Sequence, residues 1–442
     1  MSACSAAPAK ARVLIVGTGL TGSLTCYHLR RLLKTEVCID VTDMARGAGG
    51  RMSTTRFGDA GSGTRANTGA QYVSCCSDDA AALLKNVCAD NGSERKCGVD
   101  LVPVPERRST HFLLGPDSSY AHLLPHDGTN ALVKQFLYAG EPDAVGFESR
   151  LQRVAASAES GMLLPLFDRG GQGGTYCAVV LAMPPKDILK LFDEGDRHDP
   201  QSQADLHRRF NRGRGTVQLP PGFHPVALPH DVQRRLRSPS FVGRYSLALW
   251  FDDGEGGPFL HKLSAAWRER CEPHRTIDLV SQQPGGVLVV QSTVEFWKQP
   301  NVGWGGGMGG RGGSGGKGGE GGRGGKGGGG GKGGRARGGG GGREAARVGL
   351  VTALEELAGI PMPRARHAKL LNWRTSQADR PLRPDYVGEP AVVTAHGGKL
   401  VFTGDWCVES SFEGCNRAAL TAAAAAKDAV TILAAPVDLA EV

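Results

Sequence analysis

The spacing of apolar residues near the start of the chain changes from a continuous run to a helical period. The run RVLIV, which begins at Arg12, is typical of a buried strand, and the segment LTGSLTCYHLRRLL is typical of an amphipathic helix. Val37, Ile39 and Val41 then alternate with other residues in EVCIDVTD, as in a second strand. Residues 12–45 are therefore predicted to fold as strand, turn, helix and strand, the opening of an α/β sheet.

Later segments have a different order of predicted strands and helices. The run YCAVVLAMPP predicts another strand, and KDILKLF predicts a helix after it. The segments SFVGRYSLALWF and GGVLVVQSTVEFW predict longer strands with no helix between them, which favours a second domain built on an antiparallel sheet. EAARVGLVTALEEL and the alanine-rich stretch from Arg417 to Pro436 predict helices. Lys427 and Asp428 interrupt the latter, which favours a soluble helix over a membrane span.

A glycine-rich insert at residues 303–342 accounts for most of the charge of the chain. It has 28 glycines in 40 residues and a net charge of +6, out of +8 for all 442 residues. Because it contains almost no apolar surface to bury, it is predicted to be a disordered, solvated loop. The charge of the other residues is too small to indicate a nucleic-acid-binding or membrane-binding surface.

Cysteine usage and the first residues bear on the compartment. The 11 cysteines form no CxxC pair, and no His or Cys set has the spacing of a metal site. Free thiols in a reducing compartment are therefore expected. The beginning MSACSAAPAKA has no apolar core of a signal peptide, which favours a cytoplasmic protein.

The segment GTGLTG places three glycines between the first strand and the first helix. Gly17 allows a tight turn, Gly19 lets the backbone approach a diphosphate, and Gly22 allows the helix to pack closely on the strand. The amides and dipole at the helix start would then face the anion. Asp43 ends the next strand, where a carboxylate can accept the hydroxyls of an adenosine ribose. This context favours a dinucleotide site over an ordinary glycine-rich turn.

The residues after the second strand favour FAD over NAD. Gly50 and Arg51, in GAGGRMST, put an arginine within reach of the diphosphate of the longer cofactor, which a plain NAD domain does not need. In NTGAQYVS, Gly69 leaves space for a flat ring, and Gln71 and Tyr72 offer polar contacts.

A further group of predicted cofactor contacts lies near the C-terminus. Asp405 follows a predicted strand in FTGDW, where its carboxylate meets the ribityl chain or the diphosphate. The segment SSFEGC then begins a helix whose positive end faces the pyrimidine edge of the flavin. A surface helix capped by Ser410 or Ser411 is the alternative. The predicted contacts here are Gly404, Asp405, Phe412, Glu413 and Gly414.

The order of these motifs resembles a known family. The segments VLIVGTGLTGSL, GGRMST, TGAQYVS, VVLAMPPKDILKL, GRYSLALWF, NWRTSQ and GDW with SSFEGCNRAAL are similar to those of the renalases, within the FAD-dependent amine oxidase superfamily. The resemblance extends from about Arg12 to Val430, apart from the insert.

This resemblance implies a fold of the p-hydroxybenzoate-hydroxylase type. A discontinuous Rossmann-like FAD-binding domain would be joined by a smaller mixed α+β substrate domain. The implied ranges are 1–80, 119–235 and 343–435 for the FAD-binding domain, and 81–118 and 236–300 for the substrate domain.

The resemblance also implies an activity. Renalases oxidise the 2- and 6-dihydro isomers of NAD(P)H to NAD(P)+ and pass the electrons through FAD to O2, which gives hydrogen peroxide. By matching motif, the implied FAD contacts are Thr21, Asp43, Arg51, Gln71, Tyr72 and Leu151, with Trp373 near the flavin face. Asn67 and Thr375 depart from the residues more common in the family, and the departure at Thr375 bears on the substrate pocket.

The chemistry of such a substrate requires little acid or base catalysis. A dihydropyridine becomes aromatic when it gives up a hydride, so the site must mainly position the ring and exclude water, and no catalytic residue is assigned. Arg244, Tyr245 and Trp373 are the candidates for the substrate pocket, the arginine for a phosphate and the rings for the dihydropyridine. Core aromatics and a solvated arginine are the alternatives. Cys415 lies in no flavin-attachment sequence, which favours noncovalent FAD.

Two other functions fit parts of the sequence. An FAD-dependent amine oxidase or desaturase has the same cofactor motifs. RNA binding through the glycine- and arginine-rich insert belongs to a different class, but such segments usually interleave aromatic residues, and the insert has only Trp304. Nucleic acid is therefore a less favoured partner than a small nucleotide and O2, and no membrane association is expected.

Overall fold

A computed structural model of the chain describes residues 10–58, 64–75, 77–89, 101–103, 121–125, 127–168, 174–192, 219–252, 254, 256–270, 272–299, 341–382 and 392–434. The predicted insert lies outside the described residues except for Gly341 and Gly342, which begin a helix. The predicted domain ranges remain a prediction.

The described elements follow in chain order. The strands are β1 (Ala11–Val16), β2 (Val37–Thr42), β3 (Thr54–Phe57), β4 (Thr64–Asn67), β5 (Val73–Cys75), β6 (Leu101–Pro103), β7 (Ala121–Pro125), β8 (Ala144–Gly146), β9 (Leu151–Ser157), β10 (Leu163–Phe167), β11 (Ala178–Ala182), β12 (Phe223–Pro225), β13 (Ser240–Trp250), β14 (Ile277–Gln283), β15 (Val287–Ser292), β16 (His367–Arg380), β17 (Val393–Ala395) and β18 (Leu400–Thr403). The helices are α1 (Leu20–Leu33), α2 (Asp78–Cys88), α3 (Thr129–Ala139), α4 (Pro185–Phe192), α5 (His230–Arg237), α6 (Gly257–Glu269), α7 (Val294–Lys298), α8 (Gly341–Ala358) and α9 (Phe412–Ala434).

A six-stranded sheet forms the α/β part of the fold, in the order β17-β18-β11-β1-β2-β8. Every neighbouring pair is parallel except β17 with β18. The central strands are buried on both faces, which explains why they are continuous apolar runs in the sequence. The predicted succession of β1, α1 and β2 is confirmed, as are β11 and α4.

Helices α1 and α9 pack against each other on one face of this sheet. Ala419, Ala422, Ala423 and Ala426 of α9 are fully buried in the same core cluster as Leu24 of α1. Small side chains let two helices approach closely, so the alanine-rich composition of α9 is explained by packing rather than by contact with lipid. Within the described part of the chain, no helix combines the length and the hydropathy needed to cross a bilayer.

The predicted antiparallel sheet is confirmed, with the order β14-β15-β13-β16. One face packs on α6 and α8 through a core that includes Leu247, Leu263 and Leu350. The opposite face carries Ala248 and Trp250 against the β3–β4 hairpin. The expectation that no helix separates the two predicted strands is wrong, because α6 follows β13. The second predicted strand is also shorter than expected, because its last letters, VEFW, belong to α7.

Three smaller sheets complete the described fold. Strands β10, β9 and β12 form one, β3 and β4 form a hairpin, and β5, β7 and β6 form the third. Six of the described cysteines have free thiols: Cys26, Cys38, Cys88, Cys177, Cys407 and Cys415. The described residues contain no group of three or more His, Cys, Asp or Glu placed to hold a metal ion.

Candidate dinucleotide-binding site

A cavity of about 980 Å³ opens at the carboxyl ends of β1, β2, β11 and β18 and is walled on its other side by the antiparallel sheet. The carboxyl edge of a parallel sheet is where ligands bind in open α/β folds. The predicted residues that line the cavity are Gly17, Gly19, Thr21, Gly22, Asp43, Gly50, Arg51, Gly69, Gln71, Tyr72, Leu151, Arg244, Trp373, Gly404, Asp405 and Phe412. Residues separated by almost 400 positions in sequence are thus brought to one cavity.

The glycine turn has the geometry that its spacing predicts. Gly17 has φ +106°, where a side chain would be strained, and its Cβ would also overlap the carbonyl oxygen of Ala182. A Cβ at Gly22 would overlap the carbonyl oxygen of Gly17, so both positions are needed for close packing of α1 on the sheet. Gly19 differs from both, because a Cβ there would meet no atom within 4 Å. The backbone at Gly19 therefore presents an open cradle to the cavity.

Asp43 ties the glycine turn to the end of β2. Its Oδ2 atom accepts hydrogen bonds from the backbone N (2.6 Å) and the hydroxyl (2.8 Å) of Thr18, and its Oδ1 atom accepts one from the backbone N of Ala45 (2.8 Å). These donors orient the carboxylate, and its remaining lone pairs can accept the hydroxyls of a ligand. Thr18 is fully buried, and the sequence analysis did not identify it.

An ion pair joins the two ends of the chain inside the cavity. The guanidinium of Arg51 donates two hydrogen bonds to Asp405, one of them at 2.5 Å, and the side chain of Asp405 is only 3% exposed. Burial alone would lower the pKa of Arg51, but the charge and hydrogen bonds of Asp405 outweigh it and the pKa is raised. The Arg51 side chain keeps 35% of its surface exposed, so a cationic surface remains available to an anion in the cavity.

Ser410 connects this ion pair to the antiparallel sheet. Its hydroxyl donates to Asp405 Oδ2 and accepts a hydrogen bond of 2.7 Å from the backbone N of Ala378 in β16. From the sequence, Ser410 is predicted only as a candidate cap of this helix. The cap of α9 is supplied by Ser411 instead, whose hydroxyl accepts from the backbone N of Gly414 at 2.9 Å.

The predicted contacts at the start of α9 divide into two groups. Phe412 lines the cavity, whereas Glu413 and Gly414 are not among its lining residues. A Cβ at Gly414 would overlap the carbonyl oxygen of Glu409, so packing of the turn against the helix explains that glycine. The lining of the cavity thus gives no support to Glu413 and Gly414 as cofactor contacts, and their assignment stays a prediction.

Gly69 also has a packing reason rather than the predicted one. A Cβ at Gly69 would overlap the carbonyl oxygen of Arg51, and the neighbouring backbone N of Ala70 donates to that same oxygen at 2.9 Å. Gly69 thus allows the loop of residues 67–72 to lie directly against Arg51. Space for a flat ring is not what requires glycine here.

Gln283 of β14 in the antiparallel sheet fixes this loop by direct hydrogen bonds. Its Oε1 atom accepts from the backbone N of Asn67 at 2.9 Å, and its Nε2 atom donates to Gln71 Oε1 at 2.7 Å. The amide nitrogen of Gln71 donates to the carbonyl oxygens of Asn67 and Gly69. The side chain of Gln71, predicted to contact the cofactor, is therefore engaged mainly in shaping the loop.

Two more side chains of the antiparallel sheet bind the same loop. Gln291 Nε2 donates to the carbonyl oxygen of Gly69 at 2.7 Å, and Trp373 Nε1 donates to that of Thr68 at 2.8 Å. Trp373 lines the cavity with its ring held by this bond. The position of the loop at the cofactor side is thus set by three strands of the opposite sheet.

Replacing Gln283 with alanine is expected to loosen this loop. The substitution leaves the buried backbone N of Asn67 and the Oε1 of Gln71 unsatisfied, so the free energy of unfolding should fall by about 1–3 kcal/mol. Gln282→Ala is the matched control, because Gln282 is exposed on the other face of β14 and its Oε1 accepts a hydrogen bond from the hydroxyl of Ser264. It should cost no more than about 0.5 kcal/mol. Urea unfolding of both variants measures the difference, and equal losses would contradict the role given to Gln283.

The predicted substrate residues on β13 lie on opposite faces of that strand. Arg244 lines the cavity and donates from one nitrogen to Asp278 Oδ2 (2.5 Å) and to the carbonyl oxygen of Ser292 (3.0 Å). Tyr245 is 1% exposed and lies in the core, edge-on to Phe296. The prediction that Tyr245 lines the pocket is wrong, because successive side chains of a strand alternate between its faces.

Cys415 lines the cavity as a neutral thiol. Burial, with a further contribution from the charge of Asp405, raises the pKa of Cys415 to about 12. A thiol with that pKa has almost no thiolate at neutral pH and is a poor nucleophile.

Comparison with known proteins agrees with this geometry. The family model described as "NAD(P)-binding Rossmann-like domain" matches residues 15–87, which include the glycine turn, Asp43 and Arg51. The chain carries a Rossmann-like dinucleotide-binding domain. The predicted α/β fold class is thereby confirmed, and the cavity at its carboxyl edge is the candidate binding site of that Rossmann-like domain.

Two solved structures match this chain over most of its length. A protein from Exiguobacterium sp. 255-15 named "Putative protoporphyrinogen oxidase" matches with a TM-score of 0.51 and 10% sequence identity, over 94% of this chain and 98% of that one. At this identity the likeness concerns the fold, which the two chains share along nearly their whole length. The Diels-Alderase PyrE3 of pyrroindomycin biosynthesis matches with a TM-score of 0.46 and 10% identity, over 96% of this chain and 66% of that one.

Proposed function

We propose that the protein is an FAD-dependent oxidase of the renalase type, which oxidises the 2- and 6-dihydro isomers of NAD(P)H to NAD(P)+. The observation that carries this proposal is a single cavity with two differently built walls. The Rossmann-like wall presents the open backbone at Gly19 and the cation of Arg51, while the antiparallel sheet presents Trp373 and Arg244. One wall suits a diphosphate and the other a planar ring.

The residues present fit noncovalent FAD. Gly19 leaves room for the diphosphate beside the start of α1, Arg51 supplies a charge for it, and the carboxylate of Asp43 is held where the adenosine ribose would lie. Leu151 at the start of β9 lines the cavity, where its side chain would meet the adenine. The neutral thiol of Cys415 supports a noncovalent cofactor. When bound, FAD would accept a hydride from the dihydropyridine and return the two electrons to O2, giving NAD(P)+ and hydrogen peroxide.

The chain itself has only to position the substrate. Burial and the nearby carboxylate of Asp278 raise the pKa of Tyr72 to about 12, so its phenol stays protonated at neutral pH. Tyr72 can then donate a hydrogen bond but cannot serve as a general base. A substrate that aromatises by losing a hydride needs no such base. Orientation in a cavity that limits water is the contribution expected of the protein.

Anaerobic reduction of the purified protein tests the proposal. We expect a flavin absorption spectrum that is bleached by 2- and 6-dihydro-NAD(P) at least about 100-fold faster than by the 4-dihydro isomer, and one hydrogen peroxide per NAD(P)+ in air. Folded protein without flavin would overturn the proposal. Bleaching by the ordinary 4-dihydro isomer at a similar rate would indicate a general reductase, and bleaching by amines would indicate an amine oxidase.

Deleting the glycine-rich insert distinguishes the proposed oxidase function from the alternative function in RNA binding. The insert joins α7 to α8, far along the chain from every residue assigned to the cavity wall of the Rossmann-like domain. Removing residues 303–342 is expected to change the turnover number by less than about twofold, since the entropy of closing a loop changes only slowly with its length. Measuring peroxide formation and RNA binding in both chains decides between the two. A large loss of turnover would contradict the prediction.

A further inference from the structure

The ion pair between Arg244 and Asp278 lies in the wall of the cavity and is partly open to it. Both residues line the cavity, and their side chains are 12% and 24% exposed. Arg244 NH1 is 2.5 Å from Asp278 Oδ2, so one guanidinium and one carboxylate stand side by side. A ligand in the cavity therefore meets hydrogen-bond donors and acceptors next to each other, with no net charge.

This pairing changes the ligand chemistry expected for Arg244. The carboxylate of Asp278 compensates Arg244 and, because its side chain is 24% exposed in the cavity wall, repels a second anion there. The pair of Arg51 with Asp405 is the reverse case, since that carboxylate is only 3% exposed and the arginine is 35% exposed. The predicted use of Arg244 for a substrate phosphate is therefore not favoured. A neutral group that accepts and donates hydrogen bonds at adjacent atoms suits the pair better.

A primary carboxamide is such a group. Its oxygen accepts from an N–H of the guanidinium, and its NH2 group donates to a carboxylate oxygen, which can accept several hydrogen bonds. Trp373 faces Arg244 in the register of β13 with β16, so an aromatic side chain stands beside the pair to pack on a ring that bears the amide. Tyr72 lines the cavity as well, and the charge of Asp278 contributes to the raised pKa of its phenol.

We infer that Arg244 and Asp278 together bind the 3-carboxamide of the dihydropyridine substrate and discriminate against its carboxylate analogue. This inference rests on the proposed function and specifies which part of the nucleotide the antiparallel sheet recognises. Asp278 is the residue that sets specificity, since it accepts from the amide and repels an acid. A site that hydrogen-bonds a polar group rejects analogues with the wrong group strongly, because its own buried atoms lose their partners.

Binding of oxidised nucleotides to the flavin-loaded protein tests the inference without turnover. NAD+ and its deamidated analogue, which has a carboxylate in place of the carboxamide, are titrated by the change in flavin absorption. We expect NAD+ to bind at least about 30-fold more tightly than the acid. In Asp278→Asn this preference should fall below about threefold, because the asparagine NH2 group can donate to the acid. Equal affinities in the parent protein, or an unchanged preference in Asp278→Asn, would overturn the inference.

Two further variants serve as a control for the loss of a carboxylate and as a replacement if Asp278→Asn does not bind flavin. Asp252→Asn is the matched control, since Asp252 is an exposed carboxylate paired with Arg366 away from the cavity, and it should keep the parent preference. If Asp278→Asn fails to retain flavin, Arg244→Lys takes its place and should lower the affinity for NAD+ while the affinity for the acid stays within about twofold, because lysine lacks the planar fork. Loss of both affinities in equal proportion would contradict the inference. Failure of the dihydropyridines to bleach the flavin would instead count against the proposed function.

Discussion

Gly19→Asp is expected to abolish flavin uptake while the chain keeps its fold. Gly19 is the N-cap of α1, with φ −73° and ψ −177°, a conformation open to any residue. Aspartate is among the best N-caps, so the helix start should be as stable as before or more so. Its side chain nevertheless enters the cavity space where the diphosphate is proposed to bind, and its charge repels it. The affinity for FAD should fall at least about 100-fold.

Gly47→Asp provides the matched control for this prediction. A Cβ at Gly47 would also meet no atom within 4 Å, but Gly47 is not among the residues that line the cavity. The same charge added there should leave the affinity for FAD within about twofold. Quenching of flavin fluorescence during titration with FAD gives the affinities. Circular dichroism gives the midpoints of thermal unfolding. Parent-like flavin binding by Gly19→Asp would exclude the diphosphate from this turn.

Arg51→Gln is expected to cause the largest loss of stability among single changes in the cavity. The substitution leaves the carboxylate of Asp405, which is 3% exposed in its side chain, without its cation. Breaking a buried pair from one side costs about 3–5 kcal/mol. The double variant Arg51→Gln with Asp405→Asn should recover about 1–3 kcal/mol of the summed single losses, because both charges are then removed.

An exposed ion pair serves as the reference for that cycle. Arg65 and Asp127 form a similar contact, with side chains 42% and 52% exposed. Arg65→Gln should therefore cost no more than about 1 kcal/mol. Urea unfolding of the flavin-free proteins measures all four free energies. If Arg51→Gln costs no more than Arg65→Gln, or if the two cavity substitutions are additive, the ion pair does not hold the two ends of the chain together.

Local patterns were sufficient to predict the α/β half of the molecule. Gly17, Gly19 and Gly22 form a motif within six residues, and β1, α1 and β2 follow from a periodicity that any short window contains. The two long strands were also predictable. The helix α6 between them was not, because its letters GPFLHKLSAAWRE were weaker signals than the strands on either side.

The hydrogen-bond partners of the side chains around the cavity could not be predicted from the sequence. They depend on which strands and loops the fold places next to each other. Gln283 meets Gln71 across 212 positions, and Ser410 meets Ala378 of another sheet. Nothing in the local sequence of IDLVSQQ distinguishes the buried Gln283 from the exposed Gln282. Only the register of β14 against β15 and the placement of the loop of residues 67–72 separate them.

The same reason explains the corrected residues. Alternation along β13 predicts that Arg244 and Tyr245 point to opposite faces, but the face that meets the cavity is decided by where α6 and α8 pack. Composition and short-range spacing thus predict a Rossmann-like domain and the glycine turn that opens it. The antiparallel sheet presents a neutralised Arg244 to the cavity only because the fold places Asp278 beside it. Local sequence does not show this, since the electrostatic environment of a residue depends on its neighbours in space.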